Sequence, residues 1–109
     1  MEFVKVAAVT DLAPGKTLLV VAGGKDILLA NVDGSLYAIA NKCTHLGGSL
    51  AQGALTGSTV KCPKHGAEFD VKTGKMVGEA KLAFLKMKVK DEPTFPVKVE
   101  GSDIFVGIE

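Results

Sequence analysis

A chain of 109 residues reads as one small domain, large enough for a core but with little surplus stability. Thirteen basic and twelve acidic residues give a net charge of +1, and every base is lysine. With no basic tail or block, this argues against nucleic-acid binding. The longest apolar run, Leu18 to Ala22, is too short to cross a bilayer, and "MEFVKVAAVTDL" has no basic stretch leading a signal-length apolar run. The expected address is therefore the cytoplasm, with no membrane partner, and a monomer is expected.

The chain reads as short strands separated by turns. "FVKV" (3–6) alternates, and "DLAPGK" is a loop with a Pro-Gly turn signal. "TLLVVA" (17–22), a Gly-Gly-Lys-Asp turn and "ILLANV" (27–32) predict a hairpin. Asp33-Gly34 is a strong tight-turn dipeptide, and "SLYAIA" (35–40) continues the meander. Residues 41–57 are glycine-rich and keep no period. A short strand is expected around 58–62, then a hairpin from "EFDV" through "KTGK" to "MV". "FLKMKVK" (84–90) alternates apolar residues with Lys86, Lys88 and Lys90, as a half-exposed strand would. "FPVKVE" and "DIFVGI", around Gly101-Ser102, predict a last hairpin. No helical period lasts beyond a turn or two. The expected class is all-β, a small barrel or sandwich. Its base comes from about 1–40 and 81–109, and residues of about 41–80 form an insertion carrying function.

The chemistry is concentrated in that insertion. The chain has two Cys and two His, and all four fall in "NKCTHLGGSL" and "VKCPKHGAEFD". The pattern is Cys43-x-His45, sixteen residues from Leu46 to Lys61, then Cys62-x-x-His65. A chance grouping of core residues would not exhaust both residue types in two short segments. Structural zinc accepts two thiolates and two imidazoles, but its paired ligands are usually about two to four residues apart, and Cys43 and His45 are separated by one. A cluster of two irons with mixed ligation needs four terminal ligands, and two loops can each supply one thiolate and one imidazole.

"CTHLG" and "CPKHG" resemble the two cluster-binding boxes of Rieske proteins. The whole chain resembles a Rieske-type ferredoxin, the small soluble carrier of bacterial and archaeal oxygenase systems, over roughly 1–78 and again from about 96–107. That resemblance implies a Rieske-like fold, a β base with a smaller cluster-binding subdomain, holding one [2Fe–2S] cluster. It implies that Cys43 and Cys62 bind the inner iron and His45 and His65 the outer one. It also implies redox protein partners, a reductase and a terminal oxygenase or similar oxidoreductase, and no catalysis by the chain itself. The alternatives are a tightly bound electron-transfer subunit of a larger oxidoreductase and the zinc module. Gly47, Gly48 and Gly66 flank the implied ligands, where the absence of a Cβ lets backbone N–H groups approach cluster sulfides. Pro63 is expected to fix the second box.

Several positions depart from relatives of the family. Respiratory Rieske proteins have a further Cys in each box, joined as a disulfide, where this chain has Gly48 and Lys64. They also have Ser and Tyr donors to the cluster sulfurs where Ala67 and Phe69 stand, and neither side chain donates. Fewer donors predict a low-potential carrier. A Gly-Pro-Ala stretch that often closes over the cluster is replaced by Gly78-Glu79-Ala80, followed by a longer segment. Finally, Lys42 and Lys61 precede the two cysteines and Lys64 lies within the second box, which predicts a positive collar for an acidic partner.

Overall fold

The computed structural model describes residues 1–42, 48–64, 66–78, 80–82, 85–87 and 91–109, with backbone alone at 80–82 and 85–87. Its described elements are strands and two single turns of 3₁₀ helix, Val9–Asp11 and Leu50–Gln52. The strands are β1 (Glu2–Ala8), β2 (Thr17–Ala22), β3 (Lys25–Val32), β4 (Ser35–Ala40), β5 (Ala54–Thr56), β6 (Thr59–Lys61) and β7 (Glu68–Asp70). They continue as β8 (Met76–Gly78), β9 (Ala80–Leu82), β10 (Leu85–Met87), β11 (Thr94–Phe95), β12 (Val97–Glu100) and β13 (Asp103–Ile108). The all-β expectation holds throughout.

The strands form four antiparallel sheets, in the orders β1-β13-β12, β11-β4-β3-β2, β5-β6-β7-β8 and β10-β9. The turn chemistry explains the tight hairpins. Ala22 pairs with Lys25 across Gly23-Gly24, and Val32 with Ser35 across Asp33-Gly34. Both central residues of each turn have positive φ, the conformation that matches strand twist and that Gly and Asp tolerate. β3 accordingly starts two residues before the expected 27.

β3 lies at the centre and is buried on both faces, which accounts for its unbroken apolar run Ile27-Leu28-Leu29-Ala30. Ile27 and Leu29 join Val20, Ala22, Ala38, Ile104, Val106 and Ile108 in a base core against the β13 sheet. Leu28 and Ala30, pointing the other way, join Ile39, Leu50, Val60, Cys62, Ala67 and Phe69 in a second core beneath the β5–β8 sheet. One strand thus ties the base to the part of the chain that holds the Cys/His boxes.

Three expectations need adjusting. The expected strand "FPVKVE" (95–100) is divided at Pro96: Phe95, with Thr94 before it, pairs with β4, while Val97 to Glu100 pair with β13. Residues 41–57 contain a 3₁₀ turn and β5, a strand of only three residues between Gly53 and Gly57. The strand expected over 84–90 is β10, of three residues, which pairs with β9 in register Leu85–Leu82, Lys86–Lys81 and Met87–Ala80. Positions 84 and 88–90 lie outside the described residues.

Candidate metal centre

The second box grows from β6. Val60 pairs with Phe69 of β7, and both are fully buried, so the strand end is anchored before Cys62 is reached. The Cys62 N–H donates to Ala67 O at 2.7 Å, and the Gly66 N–H donates to Cys62 O at 3.0 Å. These bonds bring Gly66 and Ala67 back against Cys62, and Gly66 takes a positive φ of 79° to do so. Cys62 is 1% exposed, packed in the second core, and forms no disulfide. Ala67 and Phe69 lie in that same core, apolar and buried. His65 lies outside the described residues.

Cys43, His45 and Gly47 also lie outside the described residues, but the stems on either side, 41–42 and 48–50, are described. Asn41, directly after β4, is 4% exposed. Its N–H donates to Asp26 O at 3.0 Å and its carbonyl accepts from Leu50 N at 2.9 Å. Its side chain donates from Nδ2 to Ser49 Oγ at 2.9 Å, and its Oδ1 accepts from Ala51 N at 2.8 Å. Lys42 bridges to Ser49. Sequence reasoning passed over Asn41 and Ser49, although an Asn at a strand end beside a Gly-rich loop is a residue type that often bonds nearby backbone.

Gly48 brings the two boxes together. A Cβ there would lie 2.8 Å from Cys62 Sγ and 3.2 Å from Lys64 Cβ. The first loop therefore returns directly against the second cysteine's sulfur, in a space that any side chain at 48 would fill. Gly53 supports the arrangement from below: a Cβ on it would overlap Lys61 O, so the 3₁₀ turn can lie flat on β6 only with glycine.

Past β8, Asp91 Oδ1 accepts from Met76 N at 2.8 Å, and Glu92 N donates to Gly74 O at 2.7 Å. Pro93 O accepts from Ala40 N at 2.9 Å, so residues 91–93 strap the β7–β8 hairpin to the end of β4. Lys42, Lys61 and Lys64 are all exposed. The Lys61 Cε lies 3.5 Å from the place a Cβ on Gly66 would occupy, and Lys64 lies against Gly48. Among the described residues no three His, Cys, Asp or Glu side chains converge, because Cys62 alone of the four expected ligands is described. A buried thiol facing a glycine-lined return of the other box suits a soft thiolate donor to iron.

Residues 2–87 match the Rieske [2Fe–2S] domain family. The chain belongs to that family. Its Rieske relatives include the ferredoxin component of naphthalene 1,2-dioxygenase/salicylate 5-hydroxylase systems from a Ralstonia species, 35% identical over 99% of this chain and 97% of the relative. The biphenyl 2,3-dioxygenase ferredoxin component of Rhodococcus jostii is 37% identical over 100% and 95% of the two chains. Among solved structures, the ferredoxin of carbazole 1,9a-dioxygenase from Nocardioides aromaticivorans superposes with a TM-score of 0.86 at 29% identity, covering 100% of both chains. Membership gives the chain one [2Fe–2S] cluster, the Rieske group, rather than zinc. No helix among the described residues is long and apolar enough to cross a membrane.

Proposed function

We propose that this Rieske chain is a one-electron carrier that passes electrons from a reductase to a terminal oxygenase and performs no catalysis itself. The observation that carries the reading is similarity along 99–100% of the chain to ferredoxin components of dioxygenase systems. When bound, the cluster supplies one reversible electron. The chain's own task is to hold it: Cys43 and Cys62 as thiolates on one iron, His45 and His65 as imidazoles on the other. The burial of Cys62 and its contact with Gly48 support this ligand set. With both histidines so used, none is left for a mononuclear oxygenase site.

The reading extends to organisation and address. The chain is one domain in which a cluster-binding insertion of about 41–80 is mounted on a base from about 1–40 and 81–109; the β5–β8 sheet, within 54–78, supports that division. It works in the cytoplasm as a monomer that diffuses between partners. The test is an aromatic-ring dioxygenase assay with its reductase, run with and without this protein, beside an anaerobic dithionite titration. Uptake of one electron per chain and turnover that depends on the protein are expected. Turnover unaffected by adding it, with any iron-sulfur acceptor reconstituted, would refute the carrier role.

A further inference from the structure

We propose that Asn41 is the positioning residue of the first box, setting where the 43–47 loop sits relative to Cys62. The inference rests on the reading that this loop supplies Cys43 and His45. Asn41 is buried at the neck of the loop, and one planar amide holds both stems: Nδ2 on Ser49 Oγ at 2.9 Å and Oδ1 on Ala51 N at 2.8 Å. Its backbone is tied at the same point, to Leu50 N and to Asp26 O of β3. The two stems are thereby tied to the central strand. One residue inside the neck, Gly48 abuts Cys62 Sγ, so a displacement of Ser49 carries over to the contact between the boxes.

The residue type follows from the geometry. The neck needs a short planar group that accepts an N–H from Ala51 on one atom and engages the Ser49 hydroxyl on the other. A truncated side chain leaves the Ala51 N–H without its partner in a partly buried place, which is costly. Aspartate keeps both contacts, because the Ser49 hydroxyl can rotate to donate instead of accept. Alanine keeps neither.

Cluster-loaded Asn41→Ala, Asn41→Asp and Ser49→Ala proteins are compared with wild type by electron-spin-resonance line shape, midpoint potential and rate of cluster loss to EDTA. Asn41→Ala is expected to lose its cluster about tenfold faster, the factor that corresponds to roughly 1.4 kcal/mol, with broadened lines and a displaced potential. Ser49→Ala is expected to shift all three in the same direction by less, since the Ala51 bond survives. Asn41→Asp is expected to restore the wild-type line shape. Wild-type behaviour of Asn41→Ala in all three measurements overturns the proposal. So does an Asn41→Ala chain that cannot be loaded while Ser49→Ala is indistinguishable from wild type, because Asn41 would then serve folding alone. The ligand reading is checked separately by Cys43→Ala: a retained wild-type spectrum there removes that reading, whereas a bleached Cys43→Ala beside a silent Asn41→Ala removes only this one.

Discussion

Cys62 is a proposed iron ligand and a fully buried member of the core that also holds Leu28, Val60 and Phe69. Replacing it therefore acts twice. Cys62→Ser exchanges a soft thiolate for a hard hydroxyl, so iron content and visible absorption should collapse. The hydroxyl is also left in an apolar site, which should lower apo-protein stability by about 1–3 kcal/mol in urea denaturation. Cys43→Ser is expected to abolish assembly in the same way, and wild-type iron content in either variant would remove that cysteine from the ligand set. Ala67 sits beside Cys62, which donates its N–H to the Ala67 carbonyl. Its methyl cannot donate to the cluster, and neither can Phe69 nearby, so negative charge on the reduced centre is poorly stabilised. Voltammetry should place the potential in the lower part of the range of about −150 to +300 mV found for Rieske centres. Ala67→Ser should move it upward, and an unchanged value would show that donors at this position do not control it.

β3 makes a test that single sites cannot. Leu28 and Leu29 are adjacent, equally buried and chemically identical, yet they serve different cores. Truncating either to Ala should destabilise the fold by about 2–5 kcal/mol. Only Leu28→Ala removes support from beneath Cys62, Val60 and Phe69, so only it should accelerate cluster loss measured under folding conditions. Equal rates for the two variants would mean that the cores do not act as separate units. The β6–β7 loop depends on the same logic, because Val60 and Phe69 pair across the strands and hold Cys62 in register.

Lys42, Lys61 and Lys64 are exposed on the segments that carry the boxes. Lys64 lies against Gly48 and Lys61 runs past Gly66, so two of the three flank the meeting point of the loops. Glu68 pairs with Lys61 in the register, so an acid stands beside one of them. The whole chain carries +1. Electron transfer to an acidic partner should slow as salt rises, because the Debye length shrinks to about 8 Å at 0.15 M. With Lys64→Gln the slope of rate against ionic strength should be shallower while the spectrum stays unchanged. A wild-type slope in that variant places Lys64 outside the docking surface.

Much of this was legible before any coordinates. The all-β class followed from short alternating runs, and the hairpins at Gly23-Gly24 and Asp33-Gly34 from turn chemistry, because those signals are local. The two Cys/His boxes and their spacing carried the family and its cluster, since ligand types need no neighbours to be recognised. What escaped was non-local. That Leu28 and Leu29 belong to opposite cores depends on sheets far apart in sequence, and a continuous apolar run is silent about which face meets which. The division of 94–100 between two sheets depends on where β4 and β13 pass, even though Pro96 marks the break. Asn41 drew no reading because its partners, Ser49 and Ala51, lie eight and ten positions away and meet it only in the folded chain. Gly48 likewise owes its role to Cys62, fourteen positions away, and only folding brings that sulfur within reach of the place where a side chain would have stood.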